Sequence, residues 1–531
     1  MDGRIGLGRQ HPCDHLPPVA RTSASGRRHG LNGQRLQAAC IRGSRAKSSR
    51  LILVKADRAR GSYGAAMPST TFDPALLRRY DRPGPRYTSY PTAPQFQAGF
   101  GEAQLRDAAR ASNGDPIPRR LSLYVHVPFC LSPCFYCGCN RIITRDLGRA
   151  DPYLTRLYRE IGMMAELFDR DREVIQLHFG GGTPNFLSPA QLQELVGCLR
   201  RHFSFSPSPE RDLSIELDPR FIDPAGIAEL AAIGFNRASL GVQDFDPAVQ
   251  AAVNRIQGVD QTRAVVDACR AHGFRSVNID LISGLPKQGD EGFARTLDTV
   301  VDMRPDRLAV YSYAHLPELF KAQRQIDAAD LPDADTKLSL LQLAIDRLTA
   351  AGYVYIGMDH FALPDDELAR AQDRGSLHRN FMGYTTHADS DLIGLGVSAI
   401  SHIGDSFSQN PRDLPGWQIA IDEGRLPVFR GMRLDEDDRL RADLIQELMC
   451  QGEIPIAALE RRYAIDFNVY FAEALDKLSP LVDDGLVRRE PGRIRATTRG
   501  RLLLRNIAMC FDRYLDLPAA TDTAPRFSRA I

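Results

Sequence analysis

No apolar run in this 531-residue chain approaches the length of a membrane span. Cysteines in disulfide-like arrangement are missing too: six of the ten (Cys13, Cys40, Cys198, Cys269, Cys450 and Cys510) stand singly. That scatter suits a reducing compartment, and the cytoplasm is the expected location. Acid is scarce in one place, the first 66 residues, which carry thirteen Lys/Arg against three Asp/Glu. That segment is near +10, and the rest of the chain, against a formal +1 overall, is near −9. The step marks an expected boundary at Met67, with 1–66 read as a basic disordered tail, an organelle transit peptide or, by preference, translated upstream sequence outside the fold. Arginine so outnumbers lysine that GC-rich coding DNA, where spurious open frames are common, favours the last reading. The 531-residue chain is too long for one ordinary domain, and its overall 43% hydrophobic and 25% charged residues can bury a large core.

The other four cysteines fall within ten residues: Cys130, Cys134, Cys137 and Cys139, in YVHVPFCLSPCFYCGCN (124–140). C-x3-C-x2-C is too tight for a disulfide framework and lacks the paired C-x2-C hooks of a zinc ribbon. Thiolates hold iron–sulfur clusters, and three of them on one loop can bind three corners of a [4Fe–4S] cube and leave the fourth iron open to a ligand. A zinc site or three buried structural cysteines are the alternatives. The spacing resembles the signature of radical S-adenosylmethionine (SAM) enzymes, which leaves the open corner to SAM and makes Cys139 a neighbour rather than a ligand.

β-rich runs at 121–127, 174–179, 212–217, 237–242, 276–282 and 307–313 are separated by room for helices such as 151–168 and 258–272. This is the pattern of parallel βαβ units. The expected fold is α/β: a partial (β/α)6 radical SAM barrel over 67–431 that includes an N-terminal substrate-contacting segment, followed by a mostly α-helical, winged-helix-like C-terminal domain over 432–531. Ligand chemistry collects at strand ends, where the sites of such barrels sit. Gly180-Gly181-Gly182-Thr183 lets backbone approach a ligand. Glu216, Gln243, Arg255 and Asp280 suit a zwitterionic nucleoside: carboxylates for ribose hydroxyls or an ammonium, a guanidinium for a carboxylate. Each taken singly reads more readily as a surface polar residue or a helix cap; their recurrence at successive strand ends favours the joint functional reading.

YDRPGPRYTSYPTA (80–93), the cysteine loop, HFGGGTPNFL, SIELDPR, GFNRASLGVQDF, NIDLISGLPKQ, DRLAVYSYAHLP, YIGMDHFALPDDELA, LHRNFMGYTT and GRLLLRNIAMCFDRYL together resemble the oxygen-independent coproporphyrinogen III oxidases, radical SAM enzymes of haem biosynthesis. The resemblance runs from about residue 78 to the end. It implies a [4Fe–4S] cluster on Cys130, Cys134 and Cys137, and a first SAM lined by Tyr124, Gly181, Glu216 and Ile400. A second SAM would be lined by Tyr136, Gly182, Thr183, Gln243, Arg255, Asp280 and Ala314; Tyr136 stands where phenylalanine is common. No protein side chain is implied as catalytic, since a SAM-derived 5′-deoxyadenosyl radical abstracts a propionate β-hydrogen too weakly acidic for a side-chain base. Loss of CO2 and one electron then leaves a vinyl group, twice per macrocycle.

The implied partners are coproporphyrinogen III, a low-potential donor such as flavodoxin or ferredoxin, and an electron acceptor of unknown identity; a monomer is expected. Arg82, Arg86, Arg501, Arg505 and Arg529 are candidates to meet the propionates. The segment from 432 is not strongly basic, so it reads as a lid over the substrate rather than a nucleic-acid-binding module. A haem-modifying radical SAM enzyme and a haem chaperone of the same superfamily remain as alternatives.

Overall fold

A computed structural model describes residues 73–516. The basic segment 1–66 and Arg529 lie outside the described residues. Six strands appear where the alternation placed them: β1 (Arg120–Val127), β2 (Glu173–Gly181), β3 (Asp212–Leu217), β4 (Arg237–Gln243), β5 (Ser276–Ser283) and β6 (Arg307–Ser312). They pair in parallel in that order, each with its chain neighbour. A seventh parallel strand, β7 (Ser390–Leu395), lies on the free edge of β1 with Tyr124 opposite Gly394. The sheet stays open, continued by antiparallel strands beyond β6 at one end and by β8 (Ile400–Ile403), β9 (Ser406–Gln409) and Arg430–Arg433 beyond β7 at the other. The sequence reading did not foresee β7 or these extensions. They are short, and β7 lies more than 70 residues after β6, without the regular helix spacing that revealed the first six.

Helices α1 (Ala150–Ala165), α2 (Pro189–His202), α3 (Pro224–Ile233), α4 (Val259–Ala271) and α5 (Asp290–Met303) fill the crossovers between successive strands. Local chemistry fixes their ends. Ser188 and Gln191 form a reciprocal capping box at the start of α2, and Asp223 caps α3, which stops at Gly234 with φ 111°. Alternate apolar strand residues such as Leu123, Leu177, Ile215, Leu240 and Ile279 are fully buried, as a helix-covered parallel sheet requires. The one tryptophan, Trp417, is also fully buried; it packs on Tyr153 of α1 at 4.8 Å and donates from Nε1 to Glu160 at 3.1 Å.

The C-terminal region contains helices α6 (Glu436–Gln451) and α7 (Ala472–Asp483), a hairpin of Val487–Glu490 with Arg493–Ala496, and α8 (Leu504–Met509). Glu453–Ile454 adds a third strand to the hairpin. The core of this region includes Leu77, Tyr80, Tyr87 and Tyr90 from the far end of the chain. Tyr80 donates to Asp484 at 2.6 Å, Tyr87 to Asp512 at 2.9 Å, and Arg505 Nε to the Pro85 carbonyl at 3.1 Å. The segment before the barrel therefore packs with the C-terminal helices, whereas the sequence reading grouped it with the barrel.

The two ends of the parallel strands differ in chemistry. At the N-terminal end ion pairs tie neighbours together: Arg237 reaches Asp212 at 2.5 Å and Glu367 at 2.6 Å, and Arg307 reaches Asp366 and Glu367, both at 2.9 Å. The other end carries the site.

Candidate active site

The cysteine loop leaves β1 and is folded back by backbone contacts. Phe129–Cys130 pairs with Ile142–Ile143, so the loop closes on its own stem. Arg141 holds the turn from inside, donating to the Cys134 carbonyl at 3.1 Å and the Cys137 carbonyl at 3.2 Å. Asn254 fastens it to the loop after β4 by a 2.7 Å bond to the Pro133 carbonyl.

Each of the three spaced sulfurs has its own polar neighbour. The Thr183 hydroxyl lies 3.4 Å from Cys130 Sγ, Arg255 Nη1 3.4 Å from Cys134 Sγ, and the Cys139 N–H donates to Cys137 Sγ at 3.4 Å. A hydroxyl, a guanidinium and an amide at three thiols form the donor set that thiolate ligands want. Burial pushes the Cys130 thiol up to about 11, a cost that iron ligation removes. Cys139, through hydrogen bonding, together with the Arg141 charge, outweighs burial at Cys137 and brings it down to about 6. Cys139 itself is exposed. Among the described residues no three His, Cys, Asp or Glu side chains converge on one ion. Thiolates that each bind a different iron of a cube do not need to. The residues present fit a cluster of that kind, and none of the eight cysteines described is joined in a disulfide.

The glycine run is locked to this loop. Gly182 N–H bonds to the Val127 carbonyl and Thr183 N–H to the Phe129 carbonyl, both at 2.8 Å. Gly181 adopts φ 115°, and a β-carbon there would lie 2.5 Å from the His126 ring. Its N–H donates to Glu216 Oε2 at 3.2 Å.

Alternate positions of successive strands build a polar inner face. Tyr124 lies opposite His178, and their rings stack at 5.9 Å; His178 Nδ1 meets the Ser214 hydroxyl at 2.6 Å and its Nε2 meets Glu216 at 3.3 Å. Glu216 sits deep in the fold yet keeps 43% of its side chain exposed toward the interior space. Desolvation opposes its charge, but the His178 bond and charge and the Gly181 N–H prevail and hold the carboxyl below its ordinary value. Further along, Ser239 and Asn278 donate to the two oxygens of Asp280 at 2.9 and 2.8 Å. Burial nevertheless raises Asp280 to about 6.

Arg255, 6% exposed, bridges cluster loop and strand ends. It contacts Cys134, Asp218 at 3.1 Å and the Gly241 carbonyl, and its Nε has no partner among the described residues. Gln243 ends β4 at φ 72°, past an irregularity in the pairing with β5. Buried Gln323 ties Tyr136 to Ala314: its Nε2 donates to the Tyr136 carbonyl at 2.8 Å and the Ala314 carbonyl at 3.2 Å. Ile400 reaches the site because Gly394 lacks a β-carbon, which would lie 2.5 Å from the Ile400 carbonyl oxygen.

Of the residues proposed from the sequence for the cluster or nucleotide, the three thiols and Tyr136 lie on the cysteine loop, Gly181, Gly182, Thr183, Glu216, Gln243 and Ala314 at or just past C-terminal strand ends, Tyr124 and Asp280 within β1 and β5, Ile400 at the start of β8, and Arg255 beyond the short helix Pro247–Ala252 that follows β4. His126, His178, Ser239, Asn278, Gln323 and Gly394 were not singled out. Of the arginine candidates, Arg82 is exposed, while Arg501 and Arg505 bond to backbone carbonyls of Ile356 and of Gly84 and Pro85. Arg86 ion-pairs with Asp359 and lies over the Tyr311 ring at 5.5 Å.

Residues 124–300 match the radical SAM superfamily and 434–503 the HemN C-terminal domain. An oxygen-independent coproporphyrinogen III oxidase of Pseudomonas aeruginosa is 53% identical over 87% of this chain and 99% of its own length. The chain belongs to this family. The enzyme of the same name from Escherichia coli K12 is 50% identical over 87% of this chain and 98% of its own length. The solved structure of coproporphyrinogen III oxidase (HemN) from Escherichia coli, described as a radical SAM enzyme, superposes with a TM-score of 0.79 at 49% identity, covering 83% of this chain and 99% of that one.

Proposed function

We propose that this chain decarboxylates two propionates of coproporphyrinogen III to vinyl groups without oxygen, giving protoporphyrinogen IX in haem biosynthesis. The observation that carries the reading is the union of a three-thiol loop, each sulfur with its polar neighbour, with a glycine run and Glu216 at the adjoining strand end. When bound, a reduced [4Fe–4S] cluster and SAM supply the one-electron chemistry that an unactivated propionate C–H bond demands.

The protein's own work is positioning and exclusion of water. Cys130, Cys134 and Cys137 would hold three irons. The open Gly181 backbone and Glu216 would take the ammonium of the first SAM, with Tyr124 and the Ile400 backbone beside it. Arg255, unpaired at Nε and adjacent to Gln243, suits the carboxylate of a second SAM. Asp280, oriented by Ser239 and Asn278, suits its ribose hydroxyls, and Tyr136, Gly182, Thr183 and Ala314 complete the wall. The C-terminal region, knitted to residues 77–90, closes over the substrate. A low-potential flavodoxin or ferredoxin supplies electrons, and a separate acceptor takes the electron released with CO2; the enzyme acts as a cytoplasmic monomer. No helix among the described residues is long and apolar enough to cross a membrane.

The test is anaerobic reconstitution with iron and sulfide, then SAM, a strong reductant, an acceptor and coproporphyrinogen III. Loss of two carboxyls per macrocycle, with 5′-deoxyadenosine and methionine released, is expected. A reconstituted protein that binds haem stoichiometrically but leaves the propionates intact would instead be a chaperone.

A further inference from the structure

One cationic group is buried without the anion that its chemistry requires. Arg379 lies in the short hairpin His378–Asn380/Gly383–Thr385 and is 4% exposed. Its guanidinium lies over the Tyr384 ring at 4.7 Å, and Nε and Nη1 have no hydrogen-bond partner among the described residues. An arginine does not shed its proton, so a guanidinium held this way bears the full penalty of an uncompensated charge.

The surroundings sharpen the imbalance. Arg86 enters the same recess over the Tyr311 ring, and burial, then the charges of Arg379 and Arg505, lower it to about 10. Asp359 is the carboxylate that Arg86 pairs with. His360 stands edge-on between Tyr311 and Tyr384, at 5.9 and 5.2 Å, and its Nδ1 is also unpartnered. Burial, followed by the charges of Arg379, Arg86 and Arg307, keeps His360 neutral, so its free nitrogen can donate one N–H.

Tyr311 connects this recess to the strand-end site. After burial, the charge of Asp280 pushes its phenol up while Arg86 and Arg379 pull it down. Tyr311 lies two residues past Ala309, which pairs with Asp280 in the sheet, and Arg86 covers its ring at 5.5 Å.

We propose that Arg379, with Arg86 and His360, forms a carboxylate subsite that grips a propionate of the porphyrinogen. The inference rests on the activity proposed above. The substrate carries four carboxylates and no positive charge, and a guanidinium with unpartnered N–H donors matches one of them by a charge-assisted hydrogen bond. Bound there, the propionate supplies the missing anion and accepts from His360 as well.

Coproporphyrin III, the oxidised and fluorescent form of the macrocycle, and its tetramethyl ester are the probes, titrated into the iron-loaded full-length chain. Arg379→Met is expected to weaken the tetra-acid by ~10- to 100-fold, the scale of hydrogen bonds to a charged group. Its affinity for the ester should match that of the parent, because the ester offers no anion. Arg86→Gln should show the same selectivity to a smaller degree, since Asp359 already pairs with it. Should Arg379→Met fail to fold, Arg379→Lys, which keeps the charge and loses the planar set of N–H donors, takes its place with a several-fold selective loss. Equal tetra-acid affinity in parent and variants overturns the subsite, as does loss of acid and ester alike. A parent that binds neither probe overturns the proposed activity and the subsite with it.

Discussion

Gly182 presses its α-carbon against Pro128: a β-carbon on Gly182 would lie 2.7 Å from the Pro128 carbonyl carbon. The obstacle is backbone two residues before Cys130, so it cannot rotate aside. Gly182→Ala should displace the cysteine loop and lower iron retained after reconstitution to below about half of the parent value, with a destabilisation of about 1–3 kcal/mol typical of overpacking. Iron and sulfide assays on the gel-filtered protein, with a denaturant melt beside them, measure both effects.

Serine substitutions separate cluster ligands from their neighbour. Cys130→Ser, Cys134→Ser and Cys137→Ser should each abolish the brown absorbance, because a hydroxyl poorly replaces a soft thiolate on iron. Cys139→Ser should keep it, since the backbone N–H that serves Cys137 survives the change. Equal iron loss in all four would place a fourth thiolate on the cube and leave no corner for SAM.

Gln323 tests whether the wall of the second nucleotide site is held from behind. Gln323→Ala removes the bonds to the Tyr136 and Ala314 carbonyls and the one that Leu316 N–H donates at 2.5 Å. A loss of about 1–3 kcal/mol in unfolding free energy follows from leaving buried polar groups unsatisfied. Because the cysteines are untouched, iron content should hold while the KM for SAM rises; a fall in iron with an unchanged KM would contradict the assignment.

At the opposite end of the strands the expected effect depends on pH. Burial raises Asp212, but the bonds and charges of His387 and Arg237 dominate and hold it at about 2. A carboxyl depressed in the folded state contributes stability above its unfolded value of about 3.9, and that contribution is lost as pH falls through about 2. Asp212→Asn should therefore cost about 2 kcal/mol at pH 7, with the gap to the parent closing below pH 4. Urea melts across that range give the curve; a gap that does not change with pH would mean packing, not charge.

The sequence exposed the strands and the cysteine loop because both are local patterns. Strand limits from alternation fall within two residues of those observed, and Cys130, Cys134 and Cys137 fall on one loop by spacing alone. The second layer of the site escaped because the reading stopped at strand ends. L-S-I-E, A-S-L-G-V-Q and V-N-I-D all alternate polar with apolar residues, and period two puts Ser214, Ser239 and Asn278 on the same inward face as Glu216, Gln243 and Asp280. Gln323 and Arg379 gave no such signal. Gln323 lies on a single 3-10 turn and Arg379 on a three-residue strand, and part of the meaning of each comes from residues far along the chain, Tyr136 for the first and Arg86 for the second.

The seventh parallel strand has a consequence for synthesis. β1 carries Tyr124 and feeds the cysteine loop, yet one of its two edges is covered by residues 390–395, more than 260 positions downstream. At about 5–20 residues per second, a ribosome leaves that edge waiting on the order of tens of seconds after β1 is made. An apolar strand with bare N–H and C=O groups invites pairing with other chains during the delay. The nascent chain therefore passes through an interval in which the strand that feeds the cluster loop is its most adhesive segment, and a holding chaperone should raise the yield of iron-competent protein more than it raises total yield.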